Sequence, residues 1–349
     1  MRGRSLAGAL VVVGLVASCH SEIEHEEGQA SNITAEAAPA HDAKTDALIA
    51  ELDTDRMKTQ LTKLVGFGTR NSTNPIFTQV LSYCEDEMKA LGYTPTRQSV
   101  TVSGKETFNL IWEKKGTTDD AVLVTAHLDS INQEFSGSQL APGADDNGSG
   151  SVGTMELARV LATESPKQTV RFILWTGEEE GLYGSAKYVK NLSAAEKAKI
   201  KAVVNMDMIA TQNGTGAPGV LIEGATLSQF MIDGLAQAAA TYTTLAVKTS
   251  LHPFNSDHVS FINAGLPSVL LIEGNDSANR NMHTHNDTLD KIDWALMKSI
   301  LTMNLAYLAS ATGIGGTGTT ATMDGGTPTT DAGRPDAAAD EPAADDTQN

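Results

Sequence analysis

The stretch AVLVTAHLD, residues 121–129, sets the reading of the fold. Its first six residues are uncharged and offer no polar face to water. Strands of that kind lie inside a sheet that helices cover on both sides. Polar chemistry resumes with His127 and Asp129, at the C-terminal end of the strand, where open α/β sheets place their ligands. Further runs of the same character are 170–175 (VRFILW), 202–205 (AVVN), 219–222 (GVLI) and 268–272 (SVLLI). Helical spacing fills the intervals at 149–163, 184–191, 227–241, 257–263 and 293–310, and two more helices, near 47–64 and 76–91, precede the first strand. Strand alternating with helix predicts a single three-layer α/β domain over residues 46–312, with a mainly parallel, mixed central sheet and helices on both faces. No internal repeat is visible.

The ends of the chain read differently. Arg2 and Arg4 make a short basic start, residues 6–15 an apolar run and Val16-Ala17-Ser18 a small-residue exit. That is the pattern of an export signal, residues 1–19, and it is too short to span a bilayer as a mature helix. Val16-Ala17-Ser18-Cys19 resembles the bacterial lipobox. The resemblance implies that Cys19 is lipidated and that the exported protein is anchored to a membrane of the bacterial cell envelope; the alternative is an ordinary signal peptide and a secreted product. Lipidation would leave Cys84 alone, with no disulfide framework. Residues 20–45, rich in Ala and Glu and without hydrophobic periodicity, are expected to be a disordered tether, and residues 313–349 a disordered low-complexity acidic tail. The formal charge of -18 is spread accordingly: the leader carries +2, residues 20–45 carry -5 and residues 313–349 carry -6, which leaves -9 for the domain. Nothing in such a domain offsets phosphate repulsion, so nucleic acid is excluded as a partner.

Four more segments carry candidate chemistry: one precedes a helix, two follow apolar strands and the last lies in a polar loop. Residues on extended backbone at i and i+2 share a face, so Asp129 can hold the His127 imidazole in one tautomer while the other ring nitrogen binds a metal. Pro142-Gly143-Ala144-Asp145-Asp146-Asn147-Gly148-Ser149-Gly150 precedes a helix. It reads either as a capped glycine-rich turn or as a pair of carboxylates that can bridge two cations. Thr176-Gly177-Glu178-Glu179-Glu180-Gly181 follows the strand VRFILW. Three acids in a row usually form a solvated patch, but adjacent Glu residues at a ligand edge suit a division of labour, one binding metal and its neighbour taking a proton from water. Asp207 lies between Met206 and Met208, where a merely solvated acid is hard to explain. His283, with His285 as its rival, lies in Asn281-Met282-His283-Thr284-His285-Asn286-Asp287-Thr288.

In chain order the motifs are HxD, GADD, EE, MDM and a late histidine before D-T-L. Over about residues 90–310 that order resembles the secreted bacterial leucyl aminopeptidases. These belong to the co-catalytic zinc exopeptidases, a group with a phosphorylase/hydrolase-like fold that also holds glutamate carboxypeptidases and glutaminyl cyclases. The resemblance implies two Zn2+ ions, with His127 and Asp207 on one, Glu179 and His283 on the other, and Asp146 bridging. It implies Glu178 as general base, Asp129 behind His127, and a cis peptide after Asp146. Two His and three carboxylates suit zinc with open positions for water and substrate. Ions about 3.5–4 Å apart can hold one hydroxide between them for attack on a peptide carbonyl, and lower the pKa of the parent water to roughly 7. The substrates implied are peptides with a free N-terminus, cleaved by a monomer.

The match departs in one place. The related enzymes carry a disulfide-bearing loop with a tyrosine before Ser-Asp-His; here the loop is Leu251-His252-Pro253-Phe254-Asn255, without cysteine. Met208, Leu270, Ile272 and Met282 can line an apolar pocket for the first side chain of the substrate or else belong to the core. Three alternatives compete. A carboxypeptidase needs basic residues to grip a free carboxylate, and only Arg280 lies near the motifs. A glutaminyl-cyclase-like acyltransferase lacks the first histidine ligand, which His127 supplies. A non-catalytic binding module would have lost ligands, and all five remain.

Overall fold

In the computed structural model, residues 40–134 and 140–314 are described. Cys19, the leader, most of the expected tether and the tail from 315 onward lie outside the described residues. The sheet has eight strands: β1 Thr96–Val102, β2 Lys105–Lys114, β3 Ala121–His127, β4 Thr169–Trp175, β5 Ile200–Met206, β6 Gly219–Gly224, β7 Ala246–Ser250 and β8 Ser268–Glu273. Their spatial order is β1-β2-β4-β3-β5-β8-β6-β7. The four central strands β4, β3, β5 and β8 are parallel, whereas β2 runs antiparallel to β4 and β6 antiparallel to β8. The sheet is therefore mixed, as expected, with its parallel part in the middle.

The strand β3 shows why the central runs are largely apolar. Val122, Val124 and Ala126 pack into the larger core cluster, while Ala121 and Leu123 pack into a second cluster on the opposite face. β4 divides in the same way, with Val170, Phe172 and Leu174 on one side and Ile173 and Trp175 on the other. Successive side chains of a strand point to opposite faces, so covering both faces favours apolar residues on both, and polar ones such as Thr125 and Arg171 are kept where they find hydrogen-bond partners. On the larger-core side lie α1 Ala43–Ala50, α2 Thr54–Val65, α3 Phe77–Ala90, α4 Gly150–Leu161, α7 Gln229–Tyr242 and α9 Trp294–Ala311. On the other face, α5 Tyr183–Asn191 and α8 His258–Ile262 contribute Tyr188, Val189 and Phe261, and the exposed α6 Ala194–Lys199 leads into β5.

Several elements differ from the expectation. The single helix near 47–64 is two, because Asp53 caps α2 by accepting from the Asp55 and Arg56 N–H groups, both at 3.0 Å. The first of them starts at Ala43, inside the stretch 20–45 expected as tether, with Asp42 accepting from the Thr45 N–H at 2.8 Å and Leu48 buried. The hairpin β1–β2 and the edge strand β7 were not foreseen. Ser103 and Gly104, both at positive φ (47° and 77°), form the two-residue turn that joins β1 to β2, a conformation that matches the twist of the flanking strands. Among the described residues no helix is long and apolar enough to cross a membrane.

Candidate metal centre

His127 closes β3 and is fully buried, so its ring faces a crowd of carboxylates rather than water. Its Nε2 lies 3.2 Å from Asp207 Oδ1, 3.4 Å from Asp146 Oδ1 and 3.9 Å from Glu178 Oε2. Its Nδ1 faces the backbone carbonyl of Asp129 at 3.2 Å, closer than that residue's carboxylate at 3.8 Å. The expected Asp129 carboxylate clamp on the imidazole is thus mainly a carbonyl contact. The carboxylate has turned instead to accept the Glu179 N–H at 3.1 Å.

Asp145 and Asp146 sit in a wide helical turn, Ala144–Ser149, that enters α4. The Asp146–Asn147 peptide is cis. The two acids point different ways. Asp146 presents Oδ1 to His127 and Oδ2 to His283 Nε2, at 3.4 and 3.1 Å. Asp145 accepts from the Ala210 N–H at 3.0 Å and from Asn279 Nδ2 at 3.2 Å. Asp207 follows β5; its Oδ2 accepts the Ser256 hydroxyl at 2.7 Å, which leaves Oδ1 for His127.

After β4 the chain turns through Gly177, at φ 67°. Glu179 Oε2 lies 3.0 Å from His283 Nε2, while its Oε1 is buried without a hydrogen-bond partner among the described residues. Glu180 leaves the cluster to accept from Asn71 Nδ2 at 2.9 Å and the Ser72 hydroxyl at 2.8 Å. His283 takes a left-handed backbone, φ 58°. His285 is exposed and bonds Glu134 instead. Met208, Leu270 and Ile272 form a small separate apolar cluster, flanked by Leu221 and Met282, beside Asp207 and His283 in sequence.

Burial and mutual repulsion dominate the electrostatics. Burial raises the Glu178 carboxyl well above its usual range, with Asp207, Asp257 and Glu179 adding to the effect against the pull of His127. Glu179 is pushed to about 8 by burial and by Asp146. Burial disfavours protonated His283, but hydrogen bonds to Asp146 and Glu179 carry its pKa up to about 11. Burial raises Asp146 too, yet the two histidines hold it well below the ordinary carboxylate value. Packing carboxylates this densely is costly unless cations offset them.

The residues fit metal ions on geometry. A tetrahedral shell with bonds of about 2.0–2.1 Å places its donor atoms about 3.3 Å apart. The pairs His127–Asp146, His127–Asp207, His283–Asp146 and His283–Glu179 are spaced 3.0 to 3.4 Å. Among the described residues, two donor triads come within 4.8 Å, His127–Glu178–Asp207 and His127–Asp146–Glu179. The orphaned Glu179 Oε1 is the kind of acceptor a cation would satisfy.

Sequence reasoning missed several supports. Asp287 accepts both the Asp145 and Asp146 N–H groups at 2.9 Å; its place in the D-T-L after the late histidine was the available signal. Burial and Asp145 push its carboxyl to about 8. Ser256 behind Asp207 had a signal in the Ser-Asp-His that follows the loop 251–255, whereas Arg70, behind both first loops, left none.

Comparison with known proteins identifies the family. Residues 109–308 match the family described as Peptidase family M28. The chain is 33% identical over 264 residues to leupeptin-inactivating enzyme 1 of Streptomyces exfoliatus, covering 70% of this chain and 56% of that one. It is 30% identical over 287 residues to leucine aminopeptidase 1 of Coccidioides posadasii, covering 76% and 73%. The chain thus spans little more than half the length of the Streptomyces relative. A zinc aminopeptidase from Bacillus subtilis superposes with a TM-score of 0.66 at 18% identity, covering 74% of this chain and 95% of that one, a likeness of fold.

Proposed function

From the premise that the chain belongs to peptidase family M28, we propose that it is a two-zinc aminopeptidase removing N-terminal residues from peptides. The observation that carries this reading is the division of Asp146, one oxygen toward His127 and the other toward His283. A carboxylate so placed can belong to two coordination shells at once. His127 and Asp207 would hold one ion and Glu179 and His283 the other. When bound, zinc supplies a Lewis acid for the scissile carbonyl and lowers the pKa of water to roughly 7.

The residues around the ions divide the remaining work. Glu178, held near His127 and raised by burial, takes the proton from the attacking water and delivers it to the leaving amine. Asp129 fixes the His127 ring through its carbonyl and the Glu179 backbone through its carboxylate. Met208, Leu270, Ile272 and Met282 offer an apolar wall to the first side chain of the substrate. The substrate's free amino group adds a cation to a site rich in carboxylates, which favours peptides with unblocked N-termini.

The test is hydrolysis of aminoacyl anilides and of N-blocked peptides, with and without chelator, by wild type and Glu178→Gln. Free-N-terminal substrates should be cleaved, chelator should abolish cleavage, and the substitution should remove nearly all of it with zinc content unchanged. Equal cleavage of blocked peptides would sink the aminopeptidase reading, and full activity in Glu178→Gln the assigned base. From the likeness of Val16-Ala17-Ser18-Cys19 to the lipobox we also propose that the enzyme is held at the bacterial cell envelope by lipid on Cys19, the alternative being a secreted product. Radiolabelled fatty acid should appear on wild type and not on Cys19→Ser; an unlabelled wild type refutes the anchor.

A further inference from the structure

Arg70 lies between α2 and α3 and is fully buried. Among the described residues its guanidinium donates to backbone carbonyls: Nε to Leu128 O at 2.7 Å, Nη1 to Pro142 O at 2.6 Å and Nη2 to Gly143 O at 2.8 Å. Leu128 separates His127 from Asp129, and Pro142 and Gly143 lead into Asp145 and Asp146. One planar fork therefore joins the loop of the first histidine to the loop of the dividing carboxylate. A second strut runs beside it. The Arg70 N–H donates to Ser130 Oγ at 3.1 Å, and that hydroxyl donates to Ala141 O at 2.8 Å. Gly143 leaves room for the fork, since a Cβ there would sit 2.8 Å from Nη2.

Neutral groups could tie two loops together, so the choice of a buried cation needs a reason. Burial pulls the Arg70 pKa down, while the nearby Asp287, Asp146 and Asp129 charges pull it up. A fixed positive charge behind these acids offsets part of their repulsion when no other cation is present. The guanidinium also presents its donors in a rigid plane that an ammonium cannot copy.

We propose that Arg70 is the positioning residue of the metal centre, holding the His127 loop and the Asp145-Asp146 loop at zinc-binding spacing before an ion arrives. This rests on the reading of the cluster as a zinc centre. Zinc affinity should therefore fall in Arg70 variants even where the fold survives.

The experiment measures zinc dissociation constants by chelator competition on metal-stripped wild type, Arg70→Lys, Arg70→Met and Ser130→Ala, with near-UV circular dichroism to establish folding and cobalt(II) absorption to report ligand geometry. Loss of groups that orient metal ligands weakens affinity by about 10–100-fold. Arg70→Met should fall at the upper end. Arg70→Lys should fall at the lower end, since it keeps the charge and loses the fork. Ser130→Ala should lose a few-fold, and the cobalt spectrum should change in both Arg70 variants. Folded Arg70 variants with wild-type zinc affinity and an unchanged cobalt spectrum overturn the role, whatever their thermal stability. Where the Arg70 variants do not fold, Ser130→Ala decides: weakened zinc binding sustains the role, and wild-type affinity overturns it. A wild type that binds no zinc overturns the centre itself and this role with it.

Discussion

Replacing Ser256 by alanine removes one hydroxyl from a buried relay that ends on a proposed metal ligand. Thr125 Oγ1 donates to Asn205 Oδ1 at 2.7 Å, Asn205 Nδ2 donates to Ser256 Oγ at 3.0 Å, and Ser256 Oγ donates to Asp207 Oδ2 at 2.7 Å. Thr125, Asn205 and Ser256 are 0%, 0% and 2% exposed, so water cannot easily replace what is lost. A hydrogen bond to a charged acceptor contributes about 1.5–3 kcal/mol, and an orphaned buried amide N–H costs about 1–3 kcal/mol more. Allowing for relaxation, Ser256→Ala should destabilise the metal-stripped protein by about 3 kcal/mol. The assay is urea unfolding in chelator, read as a lower midpoint at unchanged slope. Freed from the hydroxyl, Asp207 should also bind zinc about 10–100-fold more weakly. Ser260→Ala is the control; it loses only a half-buried contact between hydroxyls, to Ser185 at 2.9 Å, and should cost under about 1 kcal/mol. A Ser256→Ala protein within about 0.5 kcal/mol of wild type, with wild-type zinc affinity, would refute the argument that this relay orients Asp207.

Burial pushes the Cys84 thiol to about 12, against about 8.5 in an unfolded chain. Between those values the unfolded state has lost a proton that the native state keeps, so this contribution is whole below about pH 8.5 and declines as pH rises, by up to about 1.4 kcal/mol per pH unit. Cys84→Ala should therefore lose less stability than wild type between about pH 8 and pH 10 in urea titrations; parallel losses contradict the assignment. Gly143→Ala puts a Cβ at φ 54°, 2.5 Å from Asp146 O and 2.6 Å from the Ser130 Cβ, and should cost about 3 kcal/mol or more in thermal unfolding; near-wild-type stability would mean the turn can shift freely. Ile272→Trp should fill the apolar cluster beside Met208 and Leu270 and raise KM for leucyl anilide about tenfold while sparing alanyl anilide. An equal effect on both would remove these residues from the pocket.

The parts of the fold legible in the sequence are those with a single solution. β3, β4, β5 and β8 are covered on both faces, so most of their residues are apolar and the runs stood out, with polar residues such as Thr125 and Asn205 admitted where they hydrogen-bond each other. β1 has exposed and half-buried positions over most of its length, and β7 is an edge strand with no buried residue; polar residues there diluted the period that would have revealed them. The helix expected near 47–64 was misread because Leu52 is buried and continues the apolar spacing across the break. Asp53 was the available warning, since an acid followed by Thr-Asp-Arg is a helix start as readily as a helix interior.

The candidate site was legible for a different reason. His127, Glu179 and Asp207 lie at strand ends and Asp146 at a helix start, so an acid or histidine beside an apolar run was conspicuous, whereas His283, in a loop well beyond β8, was legible only through the resemblance. What supports them left no such mark. Arg70 reaches Leu128 across 58 positions and Gly143 across 73, and Ser256 reaches Asp207 across 49. Neither residue belongs to the local pattern of the loop it braces. Arg70 in Gly68-Thr69-Arg70-Asn71 looks like a solvated turn, and only burial shows otherwise. The distinction is physical: a ligand must sit where its own backbone puts it, whereas a brace needs only a side chain long enough to reach. The same distinction separates Asp146 from Asp145. Adjacent in sequence and alike in chemistry, they are assigned by what meets them, two imidazoles for one and the Ala210 N–H with Asn279 for the other. The partners of Asp145 come from 65 and 134 positions away, beyond the reach of any local reading.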